Sequence, residues 1–503
     1  MPPLNWWLLA IPITAVAFVL RIGVHAGREP GGVDSWYYLA FADAIRRRPS
    51  LDVRLPQYLL QDERQSYPPL FPSMLALLPA PLLRRCFWLV SPVLDCLHLL
   101  LLYFVAYRLT ASIAVAGLAA CCYAFTPQTV SDTRSLASRP FGALLTSLAL
   151  VVLLKATVSG GSVVLLGAAV VAGAAVFLAS AALAAAYGFV CAVLTFWFGD
   201  PRYLGVALGG VLAAFVLSGG HYARVVRNYA HAVQYWRRNR GRFGGHPVFD
   251  SPIYGDPDRP APAASGFLGG TGFLGATALQ QTLRLLGENP FLLALPLVHR
   301  ELAPWSARLQ VWAIALSVFS VVATLLPPLR AFGPGRSYMK AAIFPTAYTL
   351  ASAIGSLRGL RTPVGGATLA CLGFSSGAIW FFWSYVRARA TEQTAATPPD
   401  LKRAIEALRA LPTGGVFVLP YMYADYVCYN AERPVLWGGH SGDLRRFELL
   451  APVIARPLPD LFREYGVRYA LVDRNYVDPA QLGLTSAPLT VWGSFELIEV
   501  AGS

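Results

Sequence analysis

The sequence predicts a polytopic α-helical membrane protein carrying a small C-terminal α/β domain, and three observations carry that prediction. Of 503 residues, 55% are hydrophobic and only 14% charged, whereas a soluble globular chain is nearer a quarter charged. Apolar runs close to the ~20 residues that cross a hydrocarbon core of about 30 Å recur from the N-terminus to residue 386. Beyond residue 398 the pattern changes to that of ordinary soluble protein. A soluble globular class is excluded for most of the chain.

The candidate spans, in order, are 4–24, 88–107, 111–126, 141–157, 162–179, 181–198, 203–219, 276–298, 309–327, 339–357 and 364–386, about eleven in all. The first run, Trp6 to Leu20, has no Lys or Arg ahead of it and no small-residue cleavage pattern after it, so it reads as a retained span. Segment 68–83 is apolar but short and holds Pro68, Pro69, Pro72, Pro79 and Pro81, which favours an interfacial or re-entrant piece over a twelfth crossing. The tail begins with the amphipathic LKRAIEALRAL, continues through GGVFVLP and a helical LPDLFREYG, and reaches VRYALVD. Helices alternating with short β-branched runs predict an α/β module. The division expected is therefore a membrane domain over 1–386 and a soluble α/β domain over 387–503, with outward loops near 25–67, 127–140, 220–275 and 328–338.

Short loops set the orientation. Arg108, Lys155, Arg202, Arg300, Arg308, Arg358 and Arg361 share one side if the N-terminus is cytoplasmic, and the C-terminal domain is then extracytoplasmic. Arg46, Arg47, Arg48, Arg224, Arg227, Arg237, Arg238, Arg240 and Arg242 count against this, but they lie in two long segments, where the charge rule is weak. The formal net charge of +14 points to membrane lipids and anionic substrates as partners, not to nucleic acid, because many arginines flank spans. Six of seven cysteines, Cys86, Cys96, Cys121, Cys122, Cys191 and Cys371, lie in or beside apolar runs; Cys428 is in the tail. Their spacing fits neither a disulfide framework nor a metal site.

Several polar residues stand where chemistry is expected. Asp34 follows two glycines and opens the helical pattern VDSWYYLAFADAI. It serves as a helix N-cap, as an acid held at the membrane surface with Tyr37, Tyr38 and Phe41 as apolar walls on one helical face, or as both. Asp132, in FTPQTVSDTRSLASRP, falls on the same side as Asp34 under this topology. It is either a solvated loop acid or the partner of Asp34, the two binding a divalent cation such as Mg or Mn or dividing base and orienting roles. Asp95 and His98 lie about one turn apart near the outer end of the second span, where an ionisable group is expensive and functional by default. Arg336, in AFGPGRSYMKAAIFP beside Gly333 and Gly335, suits bidentate phosphate binding, with Arg134 and Arg139 as assistants; each also fits a lipid-headgroup anchor. The stretch HYARVVRNYAHAVQYWRRNRGRF interleaves Arg with Tyr, Trp and His, which fits lipid, phosphate or sugar contact, or an interfacial amphipathic helix. No P-loop, nucleophile elbow, zinc-spaced set or dinucleotide fingerprint is present.

The order of these features resembles the GT-C superfamily of integral-membrane glycosyltransferases, which includes oligosaccharyltransferase catalytic subunits, protein O-mannosyltransferases and aminoarabinose transferases. By residue, the resemblance rests on Asp34 with its aromatic neighbours, on Tyr67-Pro68-Pro69, and on GRSYMKAAIFP around Arg336. It implies a catalytic or metal-binding role for Asp34, a companion acid in Asp132, and a donor-phosphate contact for Arg336. Tyr37, Tyr38, Tyr67, Arg134, Arg139, Asp95 and His98 complete the expected substrate-contacting set. The activity implied is transfer of a sugar from a polyprenyl-phosphate donor to a glycan, lipid or protein acceptor at the extracytoplasmic face. Two departures matter. Asp34 is followed by Ser35 where the superfamily pairs acids, and the WWDYG motif of oligosaccharyltransferases is absent, which argues against protein N-glycosylation. A transporter or flippase of lipid-linked sugars needs the same lipid and phosphate contacts without a catalytic acid, but internal repeats that mark many transporters are not visible. A noncatalytic scaffold has no use for an acid and aromatics beside a phosphate-binding arginine.

Overall fold

The computed structural model describes residues 7–23, 33–60, 64–158, 160–239, 276–297, 303–326, 329, 332, 335–355, 377, 380, 383, 397–438, 444–451 and 454–500. The chain opens with α1 (Trp7–Gly23), α2 (Val33–Arg47) and the seven-residue α3 (Leu70–Ala76), then α4 (Ala80–Thr110), α5 (Ile113–Ala124) and the short α6 (Pro127–Ser131). Apolar helices follow as α7 (Ser138–Val158), α8 (Val163–Ala179), α9 (Ala181–Phe198) and α10 (Arg202–Leu217), and then the amphipathic α11 (His221–Asn239). Next come α12 (Ala276–Glu288), a 3-10 stretch over Pro290–Leu297, α13 (Pro304–Leu325) and α14 (Gly335–Gly355). The C-terminal part holds α15 (Pro399–Ala410), β1 (Gly415–Leu419), α16 (Ala424–Ala431), α17 (Leu444–Phe447), α18 (Leu458–Tyr465), β2 (Val467–Asp473), β3 (Pro488–Trp492) and β4 (Phe495–Glu499).

Among the described residues, α4, α7, α9 and α13 are long and apolar enough to cross a membrane, and α10 with α11 makes a fifth if the pair is one broken span. The other expected spans fall on helices that are shorter, carry charge or break, or on residues outside those described. Helices α1, α5 and α8 are apolar but short, α14 carries Arg336 and Lys340, and candidate 276–298 is broken at Asn289-Pro290 into α12 and the 3-10 stretch. Candidate 364–386 lies outside the described residues apart from 377, 380 and 383.

The chain divides into two compact units. The first takes residues 1–30, 86–219 and 276–395. Its centre is α14, buried along most of its length and packed against α13 and α5, while α8 packs against α7 and α10. Small residues set these distances: a Cβ on Gly210 would stand 3.2 Å from the backbone of Gly173 and Ala174, the close approach that stabilises helix pairs where lipid supplies no hydrophobic drive.

The second unit takes residues 31–85, 220–275 and 396–503. Its sheet has the order β1-β2-β4-β3, with β1 parallel to β2 and the other pairs antiparallel. Two short segments extend it past β1. Val416 N and Leu436 N bond across to Pro434 O and Val416 O at 2.8 and 2.9 Å, while Leu59 N and Leu60 N bond to Val435 O and Leu436 O at 2.9 Å each. The core beneath joins Leu60, Tyr235, Phe417, Leu419, Phe447 and Leu458, so all three stretches contribute to one hydrophobic centre.

Candidate active site

Arg336 occupies the first turn of α14 in the first unit, and the residue before it explains how. A Cβ on Gly335 would lie 2.1 Å from Ser320 O, so only glycine lets α14 begin this close to α13. The guanidinium donates from Nε to Glu288 Oε2 at 2.6 Å and from Nη2 to the Ser131 hydroxyl, and lies 3.3 Å from Asp132 Oδ1. Arg139 approaches the same Asp132 oxygen at 3.5 Å. Gln128 ties the group together, since its side-chain amide donates to Arg336 O at 2.7 Å and its Oε1 accepts from Asn289 Nδ2 at 2.7 Å. The Asp132 side chain is 1% exposed, against 32% for Arg336, 37% for Arg139 and 18% for Glu288. A buried carboxylate therefore holds two guanidinium groups whose outer edges remain accessible.

Deeper in the same unit Asp95 receives a different set of partners. Arg21 Nε donates to Oδ2 at 2.6 Å, while Lys340 Nζ and the Tyr123 hydroxyl donate to Oδ1 at 2.7 and 2.8 Å. His98 contacts the Tyr123 hydroxyl through Nδ1 and Ser147 Oγ through Nε2, both at 2.8 Å, and its ring stacks on Phe344 at 5.4 Å. Asp95, His98, Arg21 and Lys340 are all 0% exposed. The pair expected to touch substrate is instead an internal tie linking α1, α4, α5, α7 and α14, because its charged and polar groups bond across those helices.

In the second unit Asp34 is the second residue of α2, partly exposed, at the helix end whose dipole favours an acid. The aromatic residues after it do not form open walls. Tyr37, Tyr38 and Phe41 are buried; the Tyr37 hydroxyl donates to Gln65 Oε1 at 2.9 Å, and the Tyr38 and Tyr67 hydroxyls stand 2.6 Å apart. An α2 fully packed on that face needs those positions for its core. Trp36 takes the other face, meeting Tyr426 and Tyr429 of α16 with ring centroids at 5.0 and 5.7 Å. Arg46 donates to the carbonyls of Leu75, Ala76 and Leu78, supplying partners that the end of α3 lacks. The basic-aromatic stretch is likewise engaged: His221 meets Tyr67 O at 3.0 Å, Arg224 pairs with Asp52 at 2.6 Å, Arg238 pairs with Glu448 at 2.8 Å, and Tyr235 enters the core.

Asp34 and Asp132 belong to different units, Asp132 already carries two arginines, and no group of three His, Cys, Asp or Glu suited to a metal occurs among the described residues. Arg134 is partly exposed beside Asp132 in sequence. Sequence reasoning passed over Glu288, Arg21 and Lys340 because all three sit inside runs read as spans, although a charge inside a span is itself a signal.

No family model matches the chain, and no curated protein does. Solved structures do. ArnT from Cupriavidus metallidurans bound to undecaprenyl phosphate aligns with TM-score 0.61 at 15% identity over 99% of each chain. The Archaeoglobus fulgidus oligosaccharyltransferase tethered to an acceptor peptide aligns with TM-score 0.61 at 13% identity, covering 99% of this chain and 74% of that one. The same archaeal enzyme in complex with Zn and sulfate aligns with TM-score 0.53 at 14% identity, covering 92% and 68%.

Proposed function

We infer, from a fold that is that of the GT-C superfamily, that this chain is a membrane glycosyltransferase using a polyprenyl-phosphate-linked sugar at the extracytoplasmic face. The observation that carries the reading is Arg336: a guanidinium about one-third exposed at a helix N-terminus, held by the buried Asp132 beside a hydroxyl and a second arginine. Such a site binds a phosphate bidentately, and the helix end adds its own attraction for an anion. One structural neighbour holds undecaprenyl phosphate, a ligand of that chemistry.

The reaction then follows. The acceptor's hydroxyl or amide attacks the anomeric carbon, the bond from that carbon to the phosphate oxygen breaks, and its electron pair leaves with polyprenyl phosphate. Arg336 and Arg139 stabilise the charge that develops on the phosphate, an electrostatic contribution of the kind that dominates catalysis. Asp132 acts as holder of those arginines and not as a base, because its carboxylate is buried and doubly paired. Asp34 is assigned the acceptor's proton on the strength of its place at the start of α2 and of the resemblance in sequence. Arg134 is kept as an assistant for phosphate, Tyr67 as a substrate contact, and the second unit as the part that selects the acceptor.

The test measures transfer from a polyprenyl-phosphate sugar by purified protein. Arg336→Gln should raise KM for the donor and lower kcat together, whereas Asp34→Asn should lower kcat with donor KM little changed. Full transfer by folded Arg336→Gln protein would remove the proposal's main support.

A further inference from the structure

Glu288 is an acid in an awkward position. It is the last residue of α12, where the helix dipole disfavours negative charge, and two arginines compensate it: Arg284 one turn earlier at 3.3 Å and Arg336 at 2.6 Å. Its contact with Arg336 covers the Nε edge of the very guanidinium assigned to phosphate. The two acids on Arg336 are not equivalent. Asp132 is 1% exposed and takes Arg139 as well, whereas Glu288 is 18% exposed and Arg284, its other partner, is 77% exposed. A ligand arriving from outside can displace Glu288, which water and Arg284 then accommodate, but it cannot displace Asp132 without leaving a buried charge unpaired.

We propose that Glu288 is an internal competitor for the phosphate of an arriving ligand, occupying Arg336 until a phosphate monoester or diester displaces it, and so sets the affinity and selectivity of the site. The proposal rests on the reading of Arg336 given above. Glu288 takes the Nε hydrogen of the guanidinium through one carboxylate oxygen, a bond that a phosphate oxygen can take over without moving Arg336. A phosphodiester, with one negative charge, exchanges with the carboxylate like for like, while a dianionic monoester brings one more charge to the site. Glu288 thereby discriminates against uncharged headgroups. The ordered link from Asn289 to Gln128 and from Gln128 to Arg336 O keeps the rest of the site in place during the exchange.

The experiment measures binding of undecaprenyl phosphate, undecaprenol and inorganic phosphate to the full chain in detergent, for wild type, Glu288→Gln and Arg336→Gln. Removing the competing charge should tighten phosphate binding about three- to tenfold, the scale of one net hydrogen bond at a partly exposed site, and leave undecaprenol unchanged. Tightening for undecaprenyl phosphate alone identifies a lipid ligand; equal tightening for inorganic phosphate identifies the free anion. If Arg336→Gln leaves phosphate affinity unaltered, the reading of Arg336 fails and this proposal with it. If Arg336→Gln weakens binding while Glu288→Gln does not tighten it, only the proposal fails. Hydrogen exchange on wild type gives a second measure that needs no variant to fold. Adding undecaprenyl phosphate should speed exchange at the amides of 285–289 as Glu288 lets go, and unaltered or slower exchange there contradicts the proposal.

Discussion

Replacing Asp95 by asparagine removes the carboxylate that, among the described residues, answers two buried cations. At 2.6 and 2.7 Å from Arg21 and Lys340, and with an effective dielectric of about 20, each contact carries roughly 6 kcal/mol of gross attraction. Desolvating each ion offsets several kcal/mol of that. The residue is fully buried, so solvent does not screen what remains. The variant leaves Arg21 and Lys340 facing a neutral amide, and loss of one partner in a buried set costs about 3–5 kcal/mol. Unfolding of the purified protein in mixed micelles reads this directly. Pairing Asp95→Asn with Lys340→Met removes one stranded cation and should recover part of the loss, a coupling of about 1 kcal/mol or more in a double-mutant cycle. Arg21 then remains, partly satisfied by Thr129 and by the carbonyls of Ala17 and Ala124. Asp95→Asn protein as stable as wild type, or a cycle with no coupling, would refute the claim that this network ties the helices.

Other outcomes follow from the same contacts. Gly335→Ala should destabilise by about 2 kcal/mol, since overpacking of a tight contact costs roughly 1–3, and it should also raise donor KM by displacing Arg336; thermal unfolding and kinetics check both. His98→Ala leaves Tyr123 and Ser147 each short of a partner and should cost about 1–3 kcal/mol, with Tm as the readout. Tyr235→Ala removes an aromatic from the core of the second unit and should cost about 3–5 kcal/mol, visible as early unfolding of the C-terminal part by limited proteolysis.

Much of the membrane part was legible because an apolar run is a local signal. The runs at 141–157, 162–179 and 181–198 became α7, α8 and α9 with ends shifted by a few residues. Asp95 stood out for the same reason, as an acid inside such a run. Its partners did not, because Arg21 and Lys340 lie 74 and 245 residues away and each was averaged into a span. Glu288 was hidden in a run whose break at Asn289-Pro290 was passed over. Strands β1 and β2 were legible in GGVFVLP and VRYALVD, but β3, β4 and the contribution of Leu59, Leu60 and Tyr235 to the core were not. Bonds such as Leu59 N to Val435 O are made by backbone and leave no side-chain pattern. The face of α2 bearing Tyr37 and Tyr38 was correctly grouped, yet whether such a face meets substrate or core depends on Gln65 and Tyr67, which sequence spacing does not bring together.

The central claim is tested most directly by following a doubly labelled polyprenyl-phosphate sugar in liposomes containing the purified protein, with acceptors offered outside. Sugar label should appear on an acceptor while an equal amount of polyprenyl phosphate is released in the membrane. Intact donor crossing the bilayer, with no release of polyprenyl phosphate, would contradict it and assign the chain to transport.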